Sequence, residues 1–463
     1  MNENLFFTQV AIYDNDLAAL KPEWWAMEGL AVLEEELVVA NLVNRDYDNY
    51  FVNAGDTVHV HKPGKFSAKH KERGQDTTVQ DATASDTTVK LDQHLETTFL
   101  LDDREIQESM ADLVTLFLRP AIRSIATGVD RAIVGTTSTF YPNAVGEIGV
   151  ALDDDSVIDL AARFDANNVP FDGRNLVVGP SGKADLLRID RFSDADKRGD
   201  QSLLLNGQIG GIMGFNVFMS QTVGSGIAPG VTTSAEAGFT GTIGANSAAI
   251  TAAGDDYTAG SWFKIADVPG VYRLTAAVTE YDETLAFEPA LKANATNKAV
   301  TFYQSDGEVK AAHDAGDIKV VTDTYTSAGE IPKVGASVSF GTGANAPVYT
   351  ITDVSGTWAN TGTEITLTLH KPLEADLADN AVINVMPVGG NYNFALRPDA
   401  VTLVNRPLAP ARASVASAVQ DNGTFALRVT IGYDMIKMKH RITVDTLLGV
   451  KVLDVDQGAI LFN

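Results

Sequence analysis

Between residues 22 and 40, apolar side chains recur at helical spacing at Trp25, Leu30, Leu33, Leu37 and Val38, with acidic residues between them. This stripe predicts an amphipathic helix with Pro22 in its first turn. Ahead of it, Leu5-Phe6-Phe7 is an apolar cluster with no period. Such an arm has little of its own to bury against, so its expected seat is a partner surface. Phe6, Phe7, Trp24 and Trp25 are the candidate contacts there.

The pattern then switches to period two. In DTVHVHKP, Val58 and Val60 face one way and His59 and His61 the other; TTVKLDQHLETTF alternates through Val89, Leu91 and Leu95. The stretch between is polar, contains glycine and has almost nothing apolar to fold around. Residues 55–100 therefore predict a long hairpin with a solvated tip. An isolated two-stranded hairpin is marginal in water, so this one needs a further surface to hold it. Its tip is basic, with Lys62, Lys65, Lys69, Lys71 and Arg73. The bland reading is a solvated loop. The preferred one is a finger docking on an acidic neighbour, a second copy of the same chain.

Residues 102–135 predict one long helix. Asp102 and Glu105 form a capping box, Leu101 and Ile106 a hydrophobic staple. The stripe runs through Ile106, Met110, Leu113, Phe117, Ile125, Val129 and Ala132, and Pro120 predicts a kink near Arg119. In 153–223, SVIDLAARFDANNVP predicts a helix, NLVVGP a buried strand and SGKADLLRI another helix. GQIGGIMGFNVFMSQTV predicts a Gly-rich loop and then a strand. From about 224 to 388, short alternating runs separated by turn residues predict an all-β insert. An imperfect repeat lies inside it. Gly260, Val271-Tyr272, Leu285-Ala286-Phe287, Pro289 and Ala299-Val300 parallel Gly335, Val348-Tyr349, Ile365-Thr366-Leu367, Pro372 and Ala381-Val382. Two tandem small barrels or sandwiches are implied. Residues 389–463 return to mixed material. A helix start is expected at Pro398-Asp399, strands follow in FALRVTIGYD and RITVDTLLGVKVL, and Gly423 and Gly449 read as flanking turns.

Composition narrows the function. The 463 residues carry a net charge of −25, with 45% hydrophobic and 21% charged residues, which describes a globular chain of two to four domains. That acidity argues against a dedicated nucleic-acid binder and against adhesion to anionic membranes. No apolar run approaches the roughly 18 residues of a membrane span. The start lacks a basic segment leading into an apolar one, so no secretory signal is expected. Cysteine is absent, which removes disulfides, thiolate metal sites and thiol nucleophiles and fits a chain made in a cytoplasm.

No motif reaches a catalytic constellation. GPSGKA at Gly179 lacks the first glycine of a phosphate loop and the hydroxyl after Lys183. Gly207, Gly210, Gly211 and Gly214 do not follow a strand in a dinucleotide pattern. His59, His61 and His94, read as lying on facing strands, make a three-imidazole metal site conceivable, but exposed strand histidines are the preferred reading. Asp153-Asp154-Asp155 lacks calcium-loop spacing, and Arg198-Gly199-Asp200 reads as solvated surface. No enzyme activity, metal or cofactor is expected.

In its order of elements, the chain resembles the major capsid proteins of tailed double-stranded DNA phages, with the Hong Kong 97 (HK97-like) type of fold. It looks closest to the short-tailed Salmonella phage coat proteins, which carry an inserted β-domain. The resemblance rests on LVNRDYDNYF (42–51), GDTVHV (55–60), FLRPAIRSIATGVDRAI (117–133), RPL (406–408), IGYDM and VDTLLGVKVL (444–453). It implies an α+β capsid fold. Residues 1–50 would be the N-terminal arm and helix, 51–101 the extended loop, and 102–152 the peripheral domain with its spine helix. Residues 153–223 would begin the axial domain, 224–388 form the β insertion, and 389–463 return to the axial and peripheral domains. It further implies a homo-oligomer of hexamers and pentamers enclosing double-stranded DNA without sequence-specific binding. A separate scaffolding protein, a portal protein and a place in the virion are implied with it. Two other readings remain: another self-assembling surface or adhesion protein, and a carbohydrate-active enzyme with a close carboxylate pair.

Overall fold

The structure, a computed structural model, describes residues 22–47, 57–62, 70–71, 85–102, 114–189, 210–223, 232–251, 256–279, 282–305, 307–343, 346–386, 392–410, 416–421, 425–434 and 439–463. It is mixed α and β, with few helices and many strands. The chain divides into two compact units, each gathered from three stretches. One holds 1–36, 94–126 and 406–446; the other holds 37–93, 127–405 and 447–463.

In the first unit, helix Pro22–Glu36 packs on an antiparallel sheet of Ala416–Asp421, Ala426–Asp434 and the start of the long strand Lys439–Val452. Register is fixed by the pairs Ala418↔Val429 and Val429↔Val444, whose side chains are all buried. The helix comes close at Gly29. A Cβ there would lie 2.9 Å from both Ile122 Cδ1 and Leu427 Cδ2, so only glycine lets the helix settle. Strand Gln93–Asp102 joins the edge by pairing with the long strand.

Asp102 is the last residue of that strand, and the helix expected to start there, over 103–113, lies outside the described residues. Among the described residues, the α-helix that carries the rest of the expected stripe runs Arg119–Thr137, after a π turn at Val114–Leu118. The irregularity thus falls immediately before Pro120, where the missing N–H was expected to disturb the helix. The expected stripe residues Ile106, Met110 and Leu113 lie outside the described residues. Ile125, Val129 and Ala132 are buried as expected.

The second unit contains a five-stranded sheet in the order Gly458–Phe462, Tyr392–Leu396, Asn175–Val178, Phe215–Met219, Gly211–Ile212. Asn175–Val178 and Phe215–Met219 are parallel, and helix Pro180–Arg188 lies in the connection between them. Helix Asp154–Ala166 buries Val157, Leu160 and Phe164 in a core shared with Leu176, Phe215 and Leu461. Asp153 caps it, its Oδ1 accepting from the Ser156 amide at 2.8 Å, which is the role of that aspartate run. The Gly-rich loop expected near 210 is a tight hairpin. Met213 (φ 47°) and Gly214 (φ 86°) link two paired strands, both in the left-handed region that a type I′ turn requires. Near Pro398-Asp399 the chain forms a short 3-10 turn, Pro398–Ala400.

Between these elements lie two β modules. The first is a closed six-stranded barrel over Thr232–Gln304, filled by Phe239, Phe263, Tyr272, Phe287 and Phe302. The second is a six-stranded sheet over Glu308–Val385 with Val320, Val338, Tyr349, Ile351, Ile365 and Leu367 inside. Their pairing diagrams match strand for strand. In the barrel Trp262–Ile265 pairs with Tyr272–Leu274 and Ala295–Gln304, and Thr284–Glu288 pairs with Tyr272–Leu274 and Ser247–Ala249. In the second module Ser337–Phe340 pairs with Val348–Ser355 and Ile383–Val385, and Ile365–Leu369 pairs with Val348–Ser355 and Lys319–Asp323. The closing pair of the barrel has only a single bridge as its counterpart, Glu308↔Val382.

Arg273 joins the two modules. It is 2% exposed on a barrel strand, and it donates to Ser339 Oγ (3.3 Å) and to the carbonyls of Gly343 (3.1 Å) and Ala346 (3.0 Å) in the second module. Its guanidinium also lies 5.3 Å from the Trp262 ring centroid. Removing the guanidinium takes this donor from Ser339 Oγ and from the carbonyls of Gly260, Gly343 and Ala346. Arg273→Met is expected to cost about 3 kcal/mol, read as a lower denaturation midpoint, while the aromatic near-ultraviolet signal of the barrel core persists.

Candidate interaction site at the hairpin base

Strand Thr57–Lys62 pairs with Ser85–Lys90 from Thr57↔Lys90 to Lys62↔Ser85, forming a two-stranded sheet separate from the others. TVHVHK and SDTTVK put Val60 and Val89 on buried positions, while His59 is exposed and ion-pairs across the strands, Nδ1 to Asp86 Oδ2 at 2.7 Å. The second strand ends at Lys90. Leu91 and Asp92 belong to no strand before Gln93–Asp102 begins, so the expected single return strand is two elements.

The seat of the hairpin is a backbone contact. A Cβ on Gly449 would lie 2.2 Å from the Lys90 carbonyl oxygen. Gly449 is therefore interior to the long strand Lys439–Val452 and is no flanking turn. Glycine inside a strand pattern marks such close approaches, and that was the available signal. Leu91 and Val89 are buried beside it. Gly449→Ala is expected to push the strand from Lys90 and lower stability by about 1–3 kcal/mol, measured by thermal or urea unfolding.

Of the residues expected at an inter-subunit contact, Phe6, Phe7, Lys65, Lys69 and Arg73 lie outside the described residues. Lys62 ends the first hairpin strand and Lys71 is exposed. Trp24 lies in helix Pro22–Glu36, and its side chain is outside the description. Trp25 is a correction. It is fully buried in its own unit, stacked on Phe99 (6.4 Å, 25°), which stacks on Phe117 (6.0 Å, 17°). An indole with no exposed surface has nothing to offer a neighbouring molecule.

The conceivable histidine site also fails on geometry. His94 is on the strand that pairs with Lys439–Val452, not on the hairpin, and its Nε2 meets Asp445 Oδ2 at 3.0 Å. Asp445 is itself clamped by Arg428, which donates from Nε at 2.9 Å and from Nη2. Among the described residues, no group of three or more histidines and acids could hold a metal ion. GPSGKA opens helix Pro180–Arg188 with Gly179 as its cap, and the Gly179 amide donates to Asn393 Oδ1 at 2.9 Å. That amide is used internally.

Sequence reasoning missed the buried titratable joints of the second unit. Asp130 is 3% exposed and accepts from the amides of Val38, Val39 and Ala40 at 3.2–3.4 Å, capping the turn Val39–Asn41. Burial pushes its carboxyl up to about 6. His370 accepts from the Thr350 amide at Nδ1 (2.9 Å) and packs against Gly135, where a Cβ would lie 2.5 Å from its ring. Burial pushes it down to about 3, so it is neutral. Lys292 donates from its ammonium to the Ala144 carbonyl at 2.6 Å and is pushed down to about 7 by burial and by Arg163. A carboxyl raised in the folded state binds more protons there than in the unfolded chain. Its stabilisation is complete below about 4 and is lost as pH rises through about 6. Asp130→Ala is expected to lower stability by about 1–3 kcal/mol at pH 4, and the deficit against the parent should shrink between pH 4 and pH 6. A pH series of urea midpoints for the two proteins checks it.

No family model matches the chain, and no curated protein matches it. Solved structures do. The chain is similar to the structure of Mycobacterium phage Che8, with 15% identity, 92% of this chain and 91% of that chain covered, and a TM-score of 0.43. It is similar to the capsid structure of the cyanophage P-SCSP1u (10% identity, 92% and 88% covered, TM-score 0.41). It is similar also to the capsid of a native GTA particle (11% identity, 88% and 85% covered, TM-score 0.38).

Proposed function

We propose that this chain is the major capsid protein of a tailed double-stranded DNA phage and assembles, as hexamers and pentamers, into an icosahedral head. The observation that carries the reading is the hairpin. Among the described residues its two strands pair only with each other. The sequence joins them through a polar stretch holding Lys65, Lys69, Lys71 and Arg73, in a chain of net charge −25. A two-stranded element this exposed lacks enough internal burial to be stable alone. An acidic sibling supplies both apolar cover and charge complementarity. The ordered motif resemblance from 42–51 to 444–453 supports the same reading.

In this proposal residues 1–50 are the arm and 51–101 the extended loop crossing a neighbour. Residues 102–152 belong to the peripheral domain, and 153–223 and 389–463 to the axial and peripheral domains. Residues 224–388, the paired β modules, are the insertion. The role is structural and carries no enzymatic step. A separate scaffolding protein directs assembly, a portal protein occupies one vertex, and the acidic chain encloses DNA without reading its sequence. Assembly takes place in the host cytoplasm.

Electron microscopy of the purified protein tests this. Closed shells or five- and six-membered rings are expected; flat sheets indicate a surface-layer protein, and monomers alone at high concentration defeat the proposal. Changing Lys65, Lys69, Lys71 and Arg73 together to glutamine is expected to cut assembly yield at least tenfold and leave the far-ultraviolet circular dichroism unchanged. Equal yields across a range of salt concentrations would remove the docking role.

A further inference from the structure

At the foot of the hairpin, within the second unit, is a cleft of about 360 Å3. It is walled by Lys90 and Gln93 from the hairpin exit, Lys371 and Glu374 from the second β module, and Lys451 from the long strand. This size is at the low end of small-molecule pockets. Three lysines from three separate stretches of a strongly acidic chain therefore face one space.

The charges inside do not balance. Lys371 and Lys451 share a single acceptor, Glu374 Oε1, at 2.6 and 3.4 Å. The remaining carboxylate in the wall is Asp92. Three lysines thus share the wall with two carboxylates, and Lys371 is only 17% exposed. Burial is the largest influence on it and disfavours its charge; Glu374 and Asp92 favour the charged form, and the neighbouring Lys451 opposes it. Holding like charges together in partial desolvation is costly unless an anion completes the set. In the same wall, Gln93 is 5% exposed and its Nε2 has no acceptor among the described residues.

We propose that this cleft is a binding site for a compact oxyanion, a carboxylate- or phosphate-bearing small molecule held by Lys90, Lys371 and Lys451. The inference does not depend on shell assembly, because every wall residue comes from one unit of one chain. Glu374 is then a competitor already seated in the site, and removing its charge should strengthen binding rather than weaken it.

Titration calorimetry of the full chain at low ionic strength, with citrate and with inorganic phosphate as separate probes, tests the site. Saturable one-to-one binding is expected for at least one of them. The tighter probe tells whether carboxylate or phosphate chemistry is preferred. Lys451→Met is expected to weaken it at least fivefold and Glu374→Gln to tighten it about threefold. Lys310→Met, which removes a lysine paired with Glu364 elsewhere in the same module, should leave it unchanged. Should Lys451→Met fail to fold, Lys90→Met, at an exposed position, carries the same expectation. Absence of saturable binding to both probes, equal losses in the Lys310 and lysine-cleft variants, or weaker binding in Glu374→Gln would each overturn the proposal.

Discussion

The backbone approach of Lys90 to Gly449 is the constraint on which the hairpin depends. The two positions are 359 residues apart in sequence, and no side chain can intervene where a Cβ would sit 2.2 Å from a carbonyl oxygen. Closeness of this kind sets the hairpin base with no rotamer freedom to relax it. It also fixes where Leu91 and Gln93 fall, and hence where the following strand begins. The element that the proposed function asks to reach outward is thereby held rigidly at its root.

Elsewhere the second unit is knit by buried polar groups as well as by hydrophobic cores. Each β module has its own apolar interior. What joins them is Arg273, together with the bond from Ser261 Oγ to Asn384 Oδ1 at 3.3 Å. Helix Arg119–Thr137 meets the second module through the Gly135 carbonyl, which accepts from Thr350 Oγ1 at 2.9 Å, and through neutral His370. Apolar surfaces slide at modest cost, whereas a directional bond at a buried joint is lost entirely if the register changes.

The two β modules share a pairing diagram but differ in closure. Ala295–Gln304 closes the first against Thr232–Gly241 over many residues, while the second closes by one bridge. Gly260 and Gly335, at φ 96° and 90°, precede equivalent strands, and each turns the chain where a side chain would be strained. The matching glycines, and the apolar pairs after them, are what the sequence repeat had recorded.

Much of the local structure was written in the order of the residues. Period-two alternation located Thr57–Lys62, Tyr272–Leu274, Ile365–Leu369 and Ala426–Asp434, and helical spacing located Pro22–Glu36 and Asp154–Ala166, because a half-buried element exposes its period directly. That Gln93–Asp102 pairs with Lys439–Val452 could not be read from the local pattern, because a strand's period does not name its partner. Trp25 misled because an aromatic at a helix start reads alike whether its stacking partner is Phe99 or a neighbour. The role of Gly449, the triple acceptance by Asp130, the reach of Arg273 and the lysine-lined cleft were settled by the tertiary structure alone. Each depends on groups brought together from distant parts of the chain, and distance along a sequence carries no record of distance in space.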